Sequence, residues 1–313
     1  MLLSRCRLLY ISGLSTAALA ARNLFGASAS PLYPAEQCSK WGYINGKGTM
    51  MIAPRFEIAW PFSDGLAPFK QDAKWGCLDT TGTVVLSPRF DEARNFQSNL
   101  SPVLRGALWG FIHADGSFGI PLQFDSARSF QDDRARVYIK GKWGFITADG
   151  RLAIQPQYDG ANGYNEGLAP VQKAGKWGYI DKAGDNVIPS QFALAQSFNE
   201  GLAAVQVEGA WGFVDKAGAT VISPSFDEVD EFSEGLCPVQ SKGQVVLYRQ
   251  VWKTAIQGSY AAAGHFTDGL AAVEEGTLSE YINHKQTVIW RAGNQCSKTA
   301  RLPRDPGYRH SGL

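Results

Sequence analysis

Trp60 occupies a position whose counterparts, at successive steps of 34 residues, are Arg94, Arg128, Asn162, Gln196, Asp230 and Gly264. An aromatic ring in phase with two guanidinium groups is the arrangement in this chain best suited to holding a ligand. Rings and guanidinium planes bind anionic sugars or peptides by stacking, by cation–π attraction and by bidentate hydrogen bonds. Trp60, Arg94 and Arg128 are therefore the candidate ligand-binding residues. The slot is polar elsewhere, which predicts that Trp60 is partly exposed. Its plainer role is local packing under the N-terminal end of the chain's repeats.

Two columns of carboxylates keep the same step. Asp64, Asp132, Glu166, Glu200, Glu234 and Asp268 form one, with Ser98 in the gap, and Glu57, Asp91, Asp125, Asp159 and Asp227 form the other. Repeated carboxylates hold calcium in some β-rolls, but the dense Asp-Gly alternation of those loops is missing here. Carboxylates that accept backbone amides in bends are the simpler expectation. None of His113, His265, His284 and His310 has a partner at metal-ligand spacing, and no CxxC pair occurs among the cysteines. No nucleophile elbow, zinc-protease helix or phosphate loop is present either. No metal, no cofactor and no catalytic residue is expected.

The elements that position these residues are legible from periodicity. Trp-Gly pairs begin at Trp41, Trp75, Trp109, Trp143, Trp177 and Trp211, always 34 residues apart. Phe62, Phe96, Phe130, Tyr164, Phe198, Phe232 and Phe266 form a second column with that spacing. Phe56, Phe90, Phe124, Tyr158, Phe192, Phe226 and Tyr260 form a third. Three aromatic columns in fixed phase define a tandem array. Helical hairpins also repeat at about 34 residues, but here Gly and Pro fall where helices would run. In "WGYIDKAGDNVIP" the alternation of Trp177 and Tyr179 against Ile180 has the period of a strand. "DKAG" then supplies a turn, with Asp181 first and Gly184 in the position that takes positive φ. Leu168–Ile180 and Leu202–Val214 read as further hairpins. Each unit is thus about three short strands and a bent connector, too small to bury its own apolar face. Trp41, Trp75, Trp109, Trp143, Trp177 and Trp211, with Phe62, Phe96, Phe130, Tyr164, Phe198 and Phe232, are the expected structural core. Gly beside Trp would let another backbone or ring approach closely. Lys40, Lys74, Lys142 and Lys176, just ahead of the tryptophans, read as solvated edge lysines.

"KWGYI", "KWGFI" and "WGFVDKAG", together with "FSEGLA"-type segments, resemble the bacterial WG-repeat (KWG-repeat) proteins from about Cys38 to Trp290. That resemblance implies an all-β binding or scaffolding module of exported or surface-associated proteins and carries no catalytic residues with it. The last units depart from the pattern, with Val245 and Ser279 at the Trp position. Degenerate end units suit an open, curved array of stacked sheets, the preferred arrangement. A closed propeller-like ring of about seven units is the alternative, and in it Cys38 and Cys296, both within "QCSK", could form a disulfide.

Composition sets the remaining bounds. The chain has 313 residues, 44% hydrophobic and 19% charged, enough for a packed core. Residues 1–29 read as an export signal. Arg5 and Arg7 precede the apolar run Leu8–Ala21, and the small residues Ala27 and Ala29 supply a cleavage site. Residues 30–37 read as a linker, 38–290 as the repeat domain and 291–313 as a basic tail without regular structure. Loss of the signal, which carries Arg5, Arg7 and Arg22, takes the formal charge from +1 to −2 and leaves no membrane span. The repeat body is acidic, which argues against nucleic acid. The expected protein is an exported, non-catalytic recognition or scaffold module, periplasmic or at the cell surface. Its partner would be a protein or a cell-envelope glycan. A propeller-type enzyme with a central site, or a structural spacer, are the alternatives.

Overall fold

A computed structural model describes residues 31–241, 244–249, 254–275 and 278–291. The expected signal and His310 lie outside the described residues, as does the tail beyond Arg291. Every regular element among the described residues is a strand. They form eight antiparallel sheets in chain order, one of three strands and seven of four. The extra strand is a two-residue piece of the connector, such as Ser126–Ala127, Gly160–Ala161 or Leu194–Ala195. The chain divides into two compact units. One covers residues 59–231, and the other joins the residues through Ile58 to those from Phe232.

The repeat at Gly160–Phe192 shows how sequence sets the sheet. Leu168–Lys173 pairs with Lys176–Asp181, and that central strand pairs with Asn186–Phe192. The register slips between Trp177 and Tyr179, where a β-bulge puts the carbonyl of Ile188 and the backbone around Pro189 opposite Gly178. A Cβ on Gly178 would lie 2.5 Å from that oxygen, and the corresponding values at Gly110 and Gly144 are 2.7 and 2.6 Å. The glycine of each Trp-Gly pair is therefore required by the bulge of the neighbouring strand. The proline that accompanies the bulge sits on the outer strand of the sheet, where a missing N–H costs no ladder bond.

The constant core of the repeats lies two residues past Trp. Tyr43, Cys77, Phe111, Phe145, Tyr179, Phe213, Leu247 and Tyr281 are all buried. In unit 59–231 these rings meet the second aromatic column of the following repeat. Phe111 lies 5.2 Å from Phe130, Phe145 4.8 Å from Tyr164, and Tyr179 4.9 Å from Phe198. Such tilted pairs add about 0.5–1.5 kcal/mol beyond the area they bury. They join each sheet to the next, which no sheet could do alone.

The unit that contains both ends changes one expectation and one boundary. The sequence predicts a linker over residues 30–37, yet Leu32–Gln37 is a full strand paired with Lys40–Asn45. Leu32 stands one repeat period before Leu66, so the segment takes the place of the first long strand of a repeat. Its sheet packs on the last one. Tyr33, Ala35 and Ile44 share a core with Leu270 and Tyr281. The Tyr33 hydroxyl donates to the carbonyl of Asp268 at 2.9 Å, and the Tyr281 hydroxyl donates to that of Pro34 at 3.3 Å. First and last sheets are thus neighbours, the contact that a propeller-like ring requires and an open array lacks. Of the two arrangements weighed from sequence, this contact belongs to the propeller-like alternative, and the described residues form eight sheets rather than about seven. An open array would leave the apolar side chains of these end sheets uncovered, whereas Tyr33 and Tyr281 are 6% and 2% exposed.

Candidate functional site

In unit 59–231 the connector places one side chain per repeat at a fixed point. The backbone N–H of Trp60 donates to the carbonyl of Pro68, and those of Arg94, Arg128, Asn162 and Gln196 donate to Pro102, Arg136, Pro170 and Ala204 in the same way. The backbone is constant and the side chain varies. Each of these five side chains is half-buried.

The first three of them meet the tryptophan of the Trp-Gly pair that follows in the chain. Trp60 lies 6.3 Å from Trp75, ring to ring. The Arg94 guanidinium lies 5.1 Å over Trp109 while one amino group bonds Glu92 at 2.8 Å. Arg128 lies 5.9 Å over Trp143 and bonds the Ser126 hydroxyl at 3.0 Å. Arg136 approaches the same ring at 5.5 Å and reaches the carbonyl of Ala161 and Oδ1 of Asn162. Asn162 and Gln196 turn toward the next repeat, donating to the carbonyls of Ala195 at 3.3 Å and Val229 at 3.4 Å. A ladder of amides runs beside them. Asn165 donates to Asn199 at 2.6 Å, and Asn199 donates to Glu231 at 2.5 Å.

Trp60, Arg94 and Arg128 are thus brought onto one connector face, each on its own tryptophan. Arg136 joins them and was missed from sequence. It stands where the in-phase residues are Pro68, Pro102 and Pro170, so the same test that singled out Trp60 would have found it.

Of the expected core, Trp41, Trp75 and Trp109 are buried, whereas Trp143, Trp177 and Trp211 are half-buried. Phe96, Phe130, Tyr164, Phe198 and Phe232 are buried, and Phe62 is half-buried. Cys77 and Cys237 are buried thiols, and burial pushes the Cys77 thiol up to about 12. Cys38 is disulfide-bonded, and Cys296 lies outside the described residues.

The carboxylate columns make backbone bonds. Asp64, Asp132, Glu166 and Glu234 adopt positive φ beside a second such residue, the backbone of a type I′ turn. Their carboxylates accept from the turn of the next repeat: Asp132 from Gly167 N–H at 2.7 Å, Glu166 from Gly201 at 3.1 Å, and Glu234 from Gly269 at 3.0 Å. The other column accepts within its own repeat, as Asp91 does from Gly106 at 2.7 Å and Asp125 from Lys140 at 2.8 Å. The hydrogen bond from Lys74 holds the Asp91 carboxyl below its ordinary range, and the Lys142 ammonium does the same for Asp159. Among the described residues no group of three His, Cys, Asp or Glu is placed to hold a metal ion. No helix among them is long and apolar enough to cross a membrane.

Comparison with known proteins identifies the repeat. The family described as "WG containing repeat" matches residues 41–75, 75–108, 109–143, 143–177, 177–209 and 211–244. No protein of curated function matches the chain by sequence. Among solved structures, the dihydro-heme d1 dehydrogenase NirN in complex with DHE superposes with a TM-score of 0.59 at 12% identity, covering 89% of this chain and 76% of NirN. A structure titled as the eukaryotic initiation factor superposes with a TM-score of 0.52 at 12% identity, covering 87% of this chain and 91% of its own. At such identities the likeness is one of fold. Sequence period, sheet order and family match agree on a β-propeller-like repeat architecture.

Proposed function

This chain belongs to the WG-repeat family, and from that premise we propose that it is a non-catalytic recognition module. It holds a protein or a cell-envelope glycan through repeated contacts on the connector face of residues 59–231. One observation carries this reading. Backbone bonds, bulge glycines and aromatic pairs recur from repeat to repeat, while the connector position changes from Trp60 to Arg94, Arg128, Asn162 and Gln196. A fixed frame with varied side chains is how recognition surfaces are built on rigid scaffolds. A spacer needs no such variety.

The protein is exported in this reading, to the periplasm or the cell surface. The basic and apolar start of the chain supports it, and so does the disulfide at Cys38, because disulfides persist in oxidising compartments. The test is binding of the purified protein to immobilised envelope glycans and peptides. Trp60→Ala and Arg94→Ala should lose capture with little change in melting temperature, whereas Lys176→Ala, exposed at the start of an inner strand and not on the sheet edge expected from sequence, should bind normally. Capture by both connector variants at the level of the wild type would refute the reading.

A further inference from the structure

We propose that the connector face of unit 59–231 binds an acidic oligosaccharide, one whose sugars carry carboxylates, with Arg94 and Arg128 holding the carboxylates of successive repeats. This rests on the recognition reading above and names the ligand class of that same face.

Three observations point to this chemistry. First, Arg94 and Arg128 hold equivalent positions in adjacent repeats, and each guanidinium is already fixed. Each lies over a tryptophan ring, at 5.1 or 5.9 Å, and one edge is tied to Glu92 or Ser126. A guanidinium fixed in this way loses little side-chain freedom when it meets a carboxylate. Arg136 adds a third guanidinium 5.5 Å from Trp143. Arginines from adjacent repeats thus gather positive charge, part of it balanced by Glu92, on one face of a repeat body that is acidic overall.

Second, amides and hydroxyls follow the arginines along the face, before it ends on the carboxylates of Asp230 and Glu231. Asn162, Asn165, Gln196 and Asn199 follow the arginines, with Ser129 and Ser197 beside them, and both hydroxyls donate to the connector backbone of the preceding repeat at 2.8 and 3.0 Å. Amides both donate and accept, which matches sugar hydroxyls. An acidic peptide would present apolar and backbone surface to the same groups. Third, Trp60 begins the series half-buried against Trp75, and the uncovered part of its ring offers an apolar surface to a sugar. Packed sheets lie about 10 Å apart, so adjacent arginines suit charges carried on a repeating polymer better than a single compact anion.

The experiment is calorimetric titration of the purified protein with hexagalacturonate, and with a neutral glucose hexamer and hexaglutamate as comparators. We expect binding of hexagalacturonate that weakens with added salt. The neutral hexamer should bind at least tenfold more weakly, and hexaglutamate likewise. Arg94→Gln and Arg128→Gln should each reduce hexagalacturonate affinity about tenfold. Arg151→Gln, whose side chain is 87% exposed in a turn, should not. Circular dichroism melts of each variant keep a folding loss distinct from a binding loss, and Arg128→Lys serves as a milder variant that retains charge without the fork. Equal binding of hexaglutamate overturns the sugar assignment and leaves the recognition reading in place. Absence of hexagalacturonate binding by the wild type overturns it too. Retention of every ligand by Trp60→Ala, Arg94→Gln and Arg128→Gln together sinks both.

Discussion

Trp109 and Trp177 occupy the same position in their repeats and have different surroundings. Trp109 is 5% exposed, roofed by the Arg94 guanidinium, and Trp75 before it is 4% exposed, beside Trp60. Trp177 and Trp211 are half-buried. Their roof positions carry Asn162 and Gln196, whose shorter side chains reach instead for the backbone of the next repeat. The difference shows that the signature tryptophan is not the invariant of this fold. What stays buried throughout is the residue two positions later, from Tyr43 to Tyr281. The tryptophan is a platform and the connector residue ahead of it varies, although a guanidinium over the ring does not by itself bury it: Trp143 lies under Arg128 and Arg136 and is still half-buried.

Five substitutions sharpen or break that comparison. The largest effect belongs to the invariant layer: Phe111→Ala, which removes a fully buried ring from contact with Phe124 and Phe130, should cost about 3–5 kcal/mol in denaturant unfolding. Next come the tryptophans themselves. Trp109→Ala should cost about 3 kcal/mol, and Trp177→Ala at least about 1 kcal/mol less, because less of its ring leaves water on folding. Equal losses would mean that the roof is irrelevant. Asn162→Arg transplants the roof of Trp109 onto Trp177. It loses the Asn162 bonds to Arg136 and Ala195, a loss that cation–π contact of about 0.5–1 kcal/mol should only partly offset, and it should lower the indole's quenching by acrylamide.

Asp91→Asn should have the smallest effect, visible only against pH. The folded carboxyl is held below its ordinary range, so its contribution to stability is present above the usual carboxylate pKa and is lost as pH falls through the lowered value. Wild type and variant should therefore melt alike in strong acid and diverge slightly near neutrality. A difference that grows toward low pH would contradict the Lys74 pairing.

Much of this was legible in the sequence because period, turn chemistry and strand alternation are local. The Asp-Lys-Ala-Gly turns, the strands around each Trp-Gly pair and the close backbone approach at the glycine all follow from near neighbours in the chain. What was not legible depends on contacts between repeats. Asp132 reads as a bend residue, and only the folded chain shows its carboxylate reaching Gly167 in the next turn. Leu32–Gln37 reads as a linker because the aromatic columns lapse ahead of it, with Arg22 and Ser28 at their positions, although its leucine keeps phase. The contact of the first and last sheets turns on Tyr33 and Tyr281, which are far apart in the sequence and carry no periodic mark of their meeting. At the candidate site, the odd residue in phase revealed Trp60, Arg94 and Arg128. Their pairing with the tryptophans of the following strands required coordinates, as did Arg136.

The division between a constant frame and a variable connector face is tested most directly by one comparison of thermal melts, Phe145→Ala against Arg128→Gln. In a domain of this size 1 kcal/mol moves the midpoint by about 2–4 °C. Phe145 packs 4.8 Å from Tyr164 within the frame, and its loss should lower the midpoint by about 8 °C or more. Arg128→Gln should lower it by no more than about 3 °C. A drop on Arg128→Gln as large as that on Phe145→Ala would place the arginine in the frame and contradict the division.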